Sequence, residues 1–444
     1  MTPISIGQDM DRYLSRLFPI CRSLTGDGNR QTLSILKEIV PIELKEYPSL
    51  KEVYDWEIPP EWNISDAWIK DCNGNKLVDF LDNNLHVVGY SEPVRAVMKF
   101  GELAPRLHYL DAQPDAIPYR TSYYQRDWGF CVTKKQHELL KATQGELDVC
   151  IDASLDPNGA MTIGELIIPG RQKAEFLIST YICHPSMAND NLSGIMLTAF
   201  LAKALLEKGI PNYTWRFVFV PETIGAIAYL YHNEDVIREI NGGLVVSCCG
   251  GAGEFGYKAT FQNNHLVDRA CHLAFKQYGI QPILYPFSPK GSDERQYSSP
   301  GFRIPVATIT KDKYYEYPEY HTSLDNLDFV SGEQLARTLE IYQEVVNILD
   351  GNRVLHSLCH NGEPQLGRRG LYPTLGGGID QGGSVTTNQE KINKQIDVMN
   401  WLLFLADGKN DLIGVSEHAN CTFEESIATA EKLAKAGILQ FSDR

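Results

Sequence analysis

Two polar residues near the middle of the chain have the types and the spacing of metal ligands. His184 closes the apolar segment 177–184, and Asp190 follows six residues later in segment 189–195, which opens an apolar helix. Imidazole and carboxylate groups are both common zinc ligands. A single histidine after a strand is usually structural, but the aspartate beside it favours a ligand. The pair therefore predicts a metal site at the edge of an open α/β sheet.

Glu222 follows directly after the very apolar segment 217–221. An acidic residue at this point could simply cap the next helix. The functional alternative is a general base, since a carboxylate beside a metal can take a proton from water and pass it to a leaving amine. With a metal site nearby, this pattern favours a metallohydrolase.

A third segment, 290–297, places Asp293, Glu294 and Arg295 consecutively in a turn rich in glycine and serine. Such a turn is either a solvated loop or a wall of the substrate cleft. In the second case Arg295 would pair with a substrate carboxylate, or the two acidic residues with an amine. All three are therefore candidate substrate-binding residues.

A fourth segment, 314–326, combines His321 with several tyrosines. Asp325 lies four residues after His321 and is a candidate hydrogen-bond partner that would fix the imidazole tautomer. The tyrosines form either core or a lid. Tyr320 is the candidate substrate-binding member, because a phenol can stabilise a tetrahedral oxyanion.

Strands and helices that would position these residues alternate from position 146 onward. Apolar runs predict strands at 146–153, 175–181, 216–221, 243–248 and 304–310, and periodic patterns predict helices at 193–207, 225–239, 265–278 and 333–349. Alternation of this kind is typical of an α/β fold with helices on both faces of the sheet. It places the candidate ligands just past the carboxyl ends of strands, where such sheets bind ligands.

The rest of the chain predicts smaller modules around this sheet. Two amphipathic helices are expected at 10–21 and 30–39, and short alternating runs predict an inserted β-rich module. We predict a mostly parallel sheet sandwiched by helices, with a small β module and a C-terminal winged helix. The predicted boundaries are a catalytic domain at 1–57 and 118–355, the β module at 58–117, a linker or docking segment at 356–390 and the winged helix at 391–444.

The winged helix is predicted from three helical patterns, 391–405, 416–419 and 422–437, and the terminal strand 438–441. Thr422 and Glu425 have the spacing of a capping box. Residues 391–444 carry six basic and eight acidic side chains, whereas a DNA-binding surface needs the opposite balance. Packing or self-association is therefore the expected use of the module.

Composition limits the partners and the compartment. The net charge of −15 argues against nucleic acid and anionic membranes as partners, because both are bound mainly through lysine and arginine. We find no signal peptide and no apolar run long enough to span a bilayer. The ten cysteines show no C-x-x-C pair, so they are expected to be reduced thiols in a cytoplasmic protein. A homo-oligomer is compatible with this composition.

The order of these motifs resembles that of zinc-dependent aminopeptidases of the bacterial leucyl aminopeptidase type, a clan that includes glutamate carboxypeptidase and glutaminyl cyclase. The matching set comprises His184, residues 189–194, Glu222 with Gly225, residues 291–293 and residues 320–322. Over nearly its whole length the chain resembles bacterial proteins with an aminopeptidase-like domain, a small β insertion and a C-terminal winged helix. Segments 118–124 and 128–131 are further marks of that group.

The resemblance implies a role for each matching residue. His184 and His321 correspond to terminal metal ligands, Asp190 to the carboxylate that bridges two metals, and Glu222 to the general base. Thr223 stands where the clan has a second, metal-binding glutamate, and Cys248 stands at or near an aspartate ligand.

Cys248 could replace that aspartate as a zinc ligand, or it could be a small buried apolar residue. We expect one zinc ion, held by some of His184, Asp190, Cys248 and His321, with two ions as the alternative.

These observations predict a zinc-dependent hydrolase of aminopeptidase or amidohydrolase type. Its substrate would be a small peptide-like or modified amino-acid compound, attacked by metal-activated water with Glu222 as base. Two alternatives remain open because of Thr223 and Cys248: an acyl-transfer or cyclisation enzyme on the same scaffold, and a non-catalytic binding or regulatory protein with a decayed metal site.

Overall fold

The computed structural model describes residues 3–371 and 387–442. It contains two compact units, one formed by Met1–His265 with Pro282–Gln343 and the other by Leu266–Gln281 with Glu344–Arg444. Residues 372–386 of the predicted linker and the last two residues of the predicted winged helix lie outside the described residues.

The helices of the described residues are α1 (Pro3–Leu17), α2 (Asp27–Leu36), α3 (Phe100–Leu103), α4 (Lys134–Ala142), α5 (Gly194–Lys208), α6 (Ile224–His232), α7 (Glu234–Ile237), α8 (Leu266–Gln277), α9 (Glu294–Tyr297), α10 (Gly332–Gly351), α11 (Thr387–Leu405), α12 (Leu412–Ala419) and α13 (Phe423–Lys435). Within the described parts of the chain, no helix is both long and apolar enough to cross a bilayer.

The strands are β1 (Glu43–Pro48), β2 (Glu52–Val53), β3 (Trp56–Glu57), β4 (Glu61–Lys70), β5 (Lys76–Asp79), β6 (Val94–Met98), β7 (Leu107–His108), β8 (Phe130–Cys131), β9 (Leu147–Asp156), β10 (Ala160–Ile168), β11 (Glu175–Tyr181), β12 (Thr214–Val220), β13 (Ile240–Val245), β14 (Phe255–Lys258), β15 (Ile283–Tyr285), β16 (Val306–Lys311), β17 (Val354–Ser357), β18 (Asp407–Asp411) and β19 (Leu439–Ser442).

An eight-stranded sheet forms the centre of the first unit, in the order β1-β10-β12-β11-β13-β16-β14-β15. The four middle strands β12, β11, β13 and β16 are parallel, whereas β1 and β10 join the sheet antiparallel. Every residue of β12 is buried, as expected for a parallel strand that is covered on both faces. Helix α5 packs against β11 and β12, and α6 packs against β12. The predicted α/β fold with a mostly parallel sheet is confirmed.

A separate antiparallel sheet, β5-β4-β9-β6, forms the small β module. Strand β9 belongs to it, so the prediction that segment 146–153 opens the α/β sheet is wrong about its sheet. The second half of β9 alternates between exposed and half-buried residues, which is the pattern of an antiparallel strand with one wet face. The main sheet instead contains β10, a strand that was not predicted, which lies between β1 and β12.

The helices near the predicted positions begin and end a few residues away from them. Helices α1 and α2 begin before the predicted segments 10–21 and 30–39. The predicted helix 225–239 is two helices, α6 and α7, interrupted at Asn233.

The second unit combines α8 and α11–α13 with the three-stranded antiparallel sheet β18-β17-β19. Strand β17 lies partly inside the predicted linker 356–390, and it pairs with both other strands. Arg269 of α8 binds Asp411 at 3.0 Å and Glu417 at 2.9 Å, which attaches α8 to α12. The predicted capping box at the start of α13 is present.

Candidate metal centre and active site

The loop between β11 and α5 carries two of the predicted metal ligands into the interior. His184 is 5% exposed and Asp190 is 1% exposed. Asp190 Oδ2 lies 3.9 Å from His184 Nε2 and 3.0 Å from His321 Nε2. Among the described residues, these three form the one group of potential metal ligands, with ligand atoms all within 4.8 Å of one another.

Two atoms of this group lack a hydrogen-bond partner although they are buried. They are Asp190 Oδ2 and His321 Nε2, which face each other at 3.0 Å without the geometry of a hydrogen bond. Buried polar atoms are nearly always satisfied, so an orphaned pair needs an explanation such as an ion. Catalytic zinc sites use three protein ligands and leave one position open. The donor set His184, Asp190 and His321 therefore fits one zinc ion.

The protonation states of the group agree with ligation. Burial lowers the pKa of His184 to about 4, so its imidazole is neutral at pH 7. Burial opposes ionisation of Asp190, but the two imidazoles and the Tyr181 hydroxyl, which donates to Asp190 Oδ1, lower its pKa to about 2. A neutral imidazole and an ionised carboxylate are the ligand forms of these groups.

Asp325 fixes the loop that carries Asp190, and this corrects its predicted role. Its Oδ1 accepts the backbone N–H of Asn189 at 2.6 Å, and its Oδ2 accepts that of Asp190 at 2.9 Å. Tyr317 donates a further hydrogen bond to Oδ2. The carboxylate is thus occupied by the loop, and no hydrogen bond to His321 is present between these described residues.

Cys248 is not a member of the three-residue group. It lies three residues after β13 with a positive φ of 51°, and its buried side chain packs in a cluster with Tyr314 and Tyr317. Burial raises the pKa of its thiol well above the usual range. This burial among tyrosines is compatible with the apolar alternative, and the prediction of Cys248 as a zinc ligand stays a prediction.

Glu222 lies beside the group, just past the end of β12. Its Oε2 is 4.0 Å from His184 Nε2, and its Oε1 accepts a hydrogen bond from Ser292 Oγ at 2.7 Å. Burial and the negative charge of Asp190 raise the pKa of Glu222 to about 7. A carboxyl group that exchanges its proton near neutral pH is suited to general acid–base catalysis.

Only one of the three candidate residues in segment 290–297 lines the pocket. Asp293 is buried and accepts the backbone N–H of Thr223 at 2.7 Å. Glu294 is also buried, where it pairs with Lys258 at 3.3 Å. Asp293 Oδ2 has no hydrogen-bond partner, but both side chains are buried and outside the pocket wall, which corrects their prediction as substrate-binding residues. Arg295 is exposed and lines the pocket.

These side chains surround a small pocket of about 130 Å³, the site pocket. Its lining residues are Tyr181, His184, Asp190, Glu222, Gly291, Ser292, Arg295, Tyr314, Tyr315, Tyr320 and His321. The ring of Tyr320 stacks on His321 with 3.9 Å between centroids. The predicted residue Tyr320 is thus at the pocket, where its ring packs on the imidazole of His321.

Arg22, Tyr119 and Ser292 contact the site residues, and none of the three was predicted as a site residue. Arg22 is 1% exposed, and its Nε donates to the carbonyl oxygen of His184 at 3.0 Å. The ring of Tyr119 lies 5.2 Å from His184 and 5.1 Å from His321. Nothing in the local sequence marks Arg22. Ser292 lies inside the Gly-Ser-Asp segment 291–293, whose pattern was the signal for its two acidic neighbours.

Comparisons with known proteins agree with this architecture. The family model described as a domain of unknown function (DUF4910) matches residues 11–352, and a winged helix-turn-helix model matches residues 353–441. A Clostridium acetobutylicum protein, provisionally named a polysaccharide biosynthesis protein with aminopeptidase-like domain, is 40% identical over 434 residues, covering 98% of this chain and 96% of its own. The predicted C-terminal winged helix is confirmed.

Solved structures place the fold among aminopeptidases. The crystal structure of a candidate peptidase from Clostridium acetobutylicum has a TM-score of 0.89 at 38% identity and covers 99% of this chain and 97% of its own. A zinc aminopeptidase from Bacillus subtilis has a TM-score of 0.55 at 12% identity, covering 77% of this chain and 94% of its own. The second likeness shows the fold alone, and it confirms the predicted fold resemblance.

Proposed function

The chain belongs to the DUF4910 family, and we propose that it is a zinc-dependent hydrolase of aminopeptidase or amidohydrolase type. One observation carries this proposal: the orphaned atoms Asp190 Oδ2 and His321 Nε2 face each other in a small pocket that also contains Glu222. The names of the similar proteins support the peptidase-like class. The substrate class is a small peptide-like or modified amino-acid compound.

Three residues would hold one zinc ion: His184, Asp190 and His321. A zinc ion held by these residues would act as a Lewis acid on a carbonyl group and would lower the pKa of a bound water. The loop around Asp190 is held by Asp325, and His184 is held through its carbonyl by Arg22. This support fixes the ligand atoms before any ion binds, which limits the conformational entropy lost on binding.

Glu222 would move the proton. Ser292 holds Oε1, which directs Oε2 toward the side of His184. From there the carboxylate accepts a proton from the attacking water and returns it to the departing amine. A pKa of about 7 lets the same carboxyl group do both near neutral pH.

Replacement of Glu222 by glutamine tests the proposal. The variant keeps the shape of the side chain and lacks the proton acceptor, so we expect hydrolysis to fall by roughly 10²-fold to 10⁴-fold, with zinc content unchanged. The assay would use a panel of aminoacyl anilides, N-acyl amino acids and N-acyl amino sugars, the last chosen for the polysaccharide-related name of the Clostridium relative.

Glu234→Gln is the matched control, because Glu234 begins α7 away from the site pocket. It should retain wild-type turnover and zinc content. Full activity of Glu222→Gln would contradict the assignment of the base. Hydrolysis of no amide by zinc-loaded wild-type protein would contradict the hydrolase itself.

A transfer or cyclisation reaction is the second candidate function. Thr223 follows Glu222 where a second glutamate would complete a two-metal site, and Cys248 is outside the ligand group. A single-ion site of this kind is compatible with an internal or external amine as the attacking group. Mass spectrometry of the products separates the two, because hydrolysis adds one water and cyclisation adds none.

A further inference from the structure

The charged side chains that line the site pocket differ in whether another residue already engages them. Two carboxylates line it, Asp190 and Glu222. Asp190 faces the two imidazoles, and Glu222 is held by Ser292 for proton transfer. Neither is therefore free to bind a substrate ammonium group.

The two neighbouring acidic residues do not supply this function either. Asp293 and Glu294 are each 1% exposed and are absent from the pocket wall. Asp293 Oδ1 accepts the N–H of Thr223, whereas its buried Oδ2 has no hydrogen-bond partner, and Glu294 is paired with Lys258. Among the described residues, the pocket wall thus offers an amino terminus no carboxylate other than Asp190 and Glu222.

The pocket does contain an available cation. Arg295 is exposed and lines the wall, and although its charge favours ionisation of Glu222 and Asp293, no described carboxylate is in salt-bridge contact with it. One Nη atom lies 3.3 Å from Thr223 Oγ1, so the guanidinium is next to the residue that follows the proposed base. A guanidinium presents five donors in a planar arrangement and binds oxyanions with two parallel hydrogen bonds.

A second cation lies close to the same mouth. The Lys290 ammonium is 5.4 Å from the ring centroid of Tyr315, which is a pocket-lining residue. Lys290 is exposed. The whole chain carries a net charge of −15, so its overall field repels an anionic substrate. Recognition of an anion would therefore depend on the local charges of Arg295 and Lys290.

We propose that the substrate presents an oxyanion, a carboxylate or a phosphate, to Arg295 close to the bond that is cleaved. The substrate would then be an acidic acyl or amide compound, and not a peptide with a free amino terminus at this position. This inference deepens the proposed function and rests on it. Arg295 is a specificity-determining residue in this view, and Tyr315 and Lys290 border the same subsite.

A matched pair of small amides tests the inference. Succinyl anilide carries a terminal carboxylate, and its methyl ester has nearly the same shape without the charge. We expect a higher kcat/KM for the acid than for the ester, with a change in KM. In Arg295→Met the acid-to-ester ratio should fall on the order of 10-fold to 100-fold, the size of a lost charged hydrogen bond. Arg295→Lys should restore part of the ratio.

Arg171→Met is the control, because Arg171 is an exposed arginine outside the pocket; its ratio should equal that of the wild type. Phosphonoacetyl anilide is the phosphate-like arm, and a preference for it over the succinyl compound would assign a phosphate. Leucyl anilide is the ammonium arm. Faster hydrolysis of leucyl anilide than of both acids would overturn the inference while supporting a hydrolase.

A binding measurement separates failure of the inference from failure of the proposed function. Calorimetric titration of succinyl anilide and phosphonoacetyl anilide into Glu222→Gln needs no turnover. Binding that is lost in the double variant with Arg295→Met would support the anion subsite even if no probe were hydrolysed. Absence of binding by both anions, or equal binding with and without Arg295, would overturn it.

Discussion

At the scale of single residues, the site is organised around one carboxylate. Asp190 receives the hydroxyl of Tyr181 on one oxygen and faces both imidazoles with the other. Asp325 holds its backbone N–H. These contacts fix the orientation of the carboxylate, so Oδ2 of Asp190 points to the space between the two imidazoles.

The metal content of ligand variants can be predicted from this arrangement. Wild-type protein should contain about one zinc per chain, in line with three-ligand catalytic sites. His184→Ala and His321→Ala should each lose it, because each removes one of three donors. Elemental analysis of the purified proteins measures this directly.

Two variants sharpen that measurement. Cys248→Ser should keep its zinc, because Cys248 is outside the ligand group, and loss of zinc from it would show that the thiol is a ligand. His360→Ala, at an exposed position, should also keep it. Two zinc ions per chain would contradict the single-ion site.

At the scale of elements, the parallel strands β11 and β12 must stay in register, because each delivers a site residue just past its end. Arg216 of β12 ties three strands together. It pairs with Glu165 of β10 at 2.8 Å and with Glu175 of β11 at 2.7 Å, and it donates to Tyr229 of α6. Arg216, the centre of this buried network, lies on β12, the strand that ends just before Glu222.

Arg216→Met should destabilise the protein by about 3–5 kcal/mol, because it leaves Glu175 without its cation and Glu165 with Lys45 alone. Urea unfolding measures the change, and exposed Arg171→Met should stay within about 0.5 kcal/mol of wild type. A loss for Arg216→Met as small as that of the control would contradict the role of the network.

The pH dependence of this loss has a defined sign. Burial opposes ionisation of Glu165, but Lys45, Tyr229 and Arg216 outweigh it and lower its pKa. A lowered folded-state pKa gives stability that is present above the unfolded-state pKa of about 4.3 and is lost as the pH falls through the folded-state value. The difference between Arg216→Met and wild type should therefore shrink in acid.

At the scale of the whole molecule, charge decides which partners are disfavoured. The chain has a net charge of −15, and residues 391–444 contribute eight acidic and six basic side chains. DNA affinity comes mainly from phosphate contacts with lysine and arginine. This balance is the reason for our prediction that the winged helix does not read DNA.

We therefore expect the full chain not to bind duplex DNA at physiological salt. Fluorescence anisotropy with a labelled random duplex, titrated at several salt concentrations, checks this. Binding tighter than the usual non-specific range of about 10⁻⁴ to 10⁻⁶ M, with a steep salt dependence, would contradict the prediction. The cytoplasmic location and the homo-oligomer also stay predictions.

The sequence alone determined the α/β class and the positions of the main site segments. Strands β11 and β12 are continuous apolar runs, and each is followed by a polar residue, so His184 and Glu222 could be placed at strand ends without coordinates. Periodic patterns and capping residues are local signals. For that reason α5, α10 and the start of α13 were predicted close to their observed positions.

The tertiary structure decided which side chains meet. Asp325 binds the backbone beside Asp190, and Asp293 and Glu294 turn inward, although spacing along the chain favoured other roles for all three. Arg22 reaches His184 across 162 positions of sequence, and β9 pairs with β4 and β6. Contacts of this kind depend on packing between distant segments, because the free energy of a buried polar group is set by the partners that surround it, and these are absent from the local sequence.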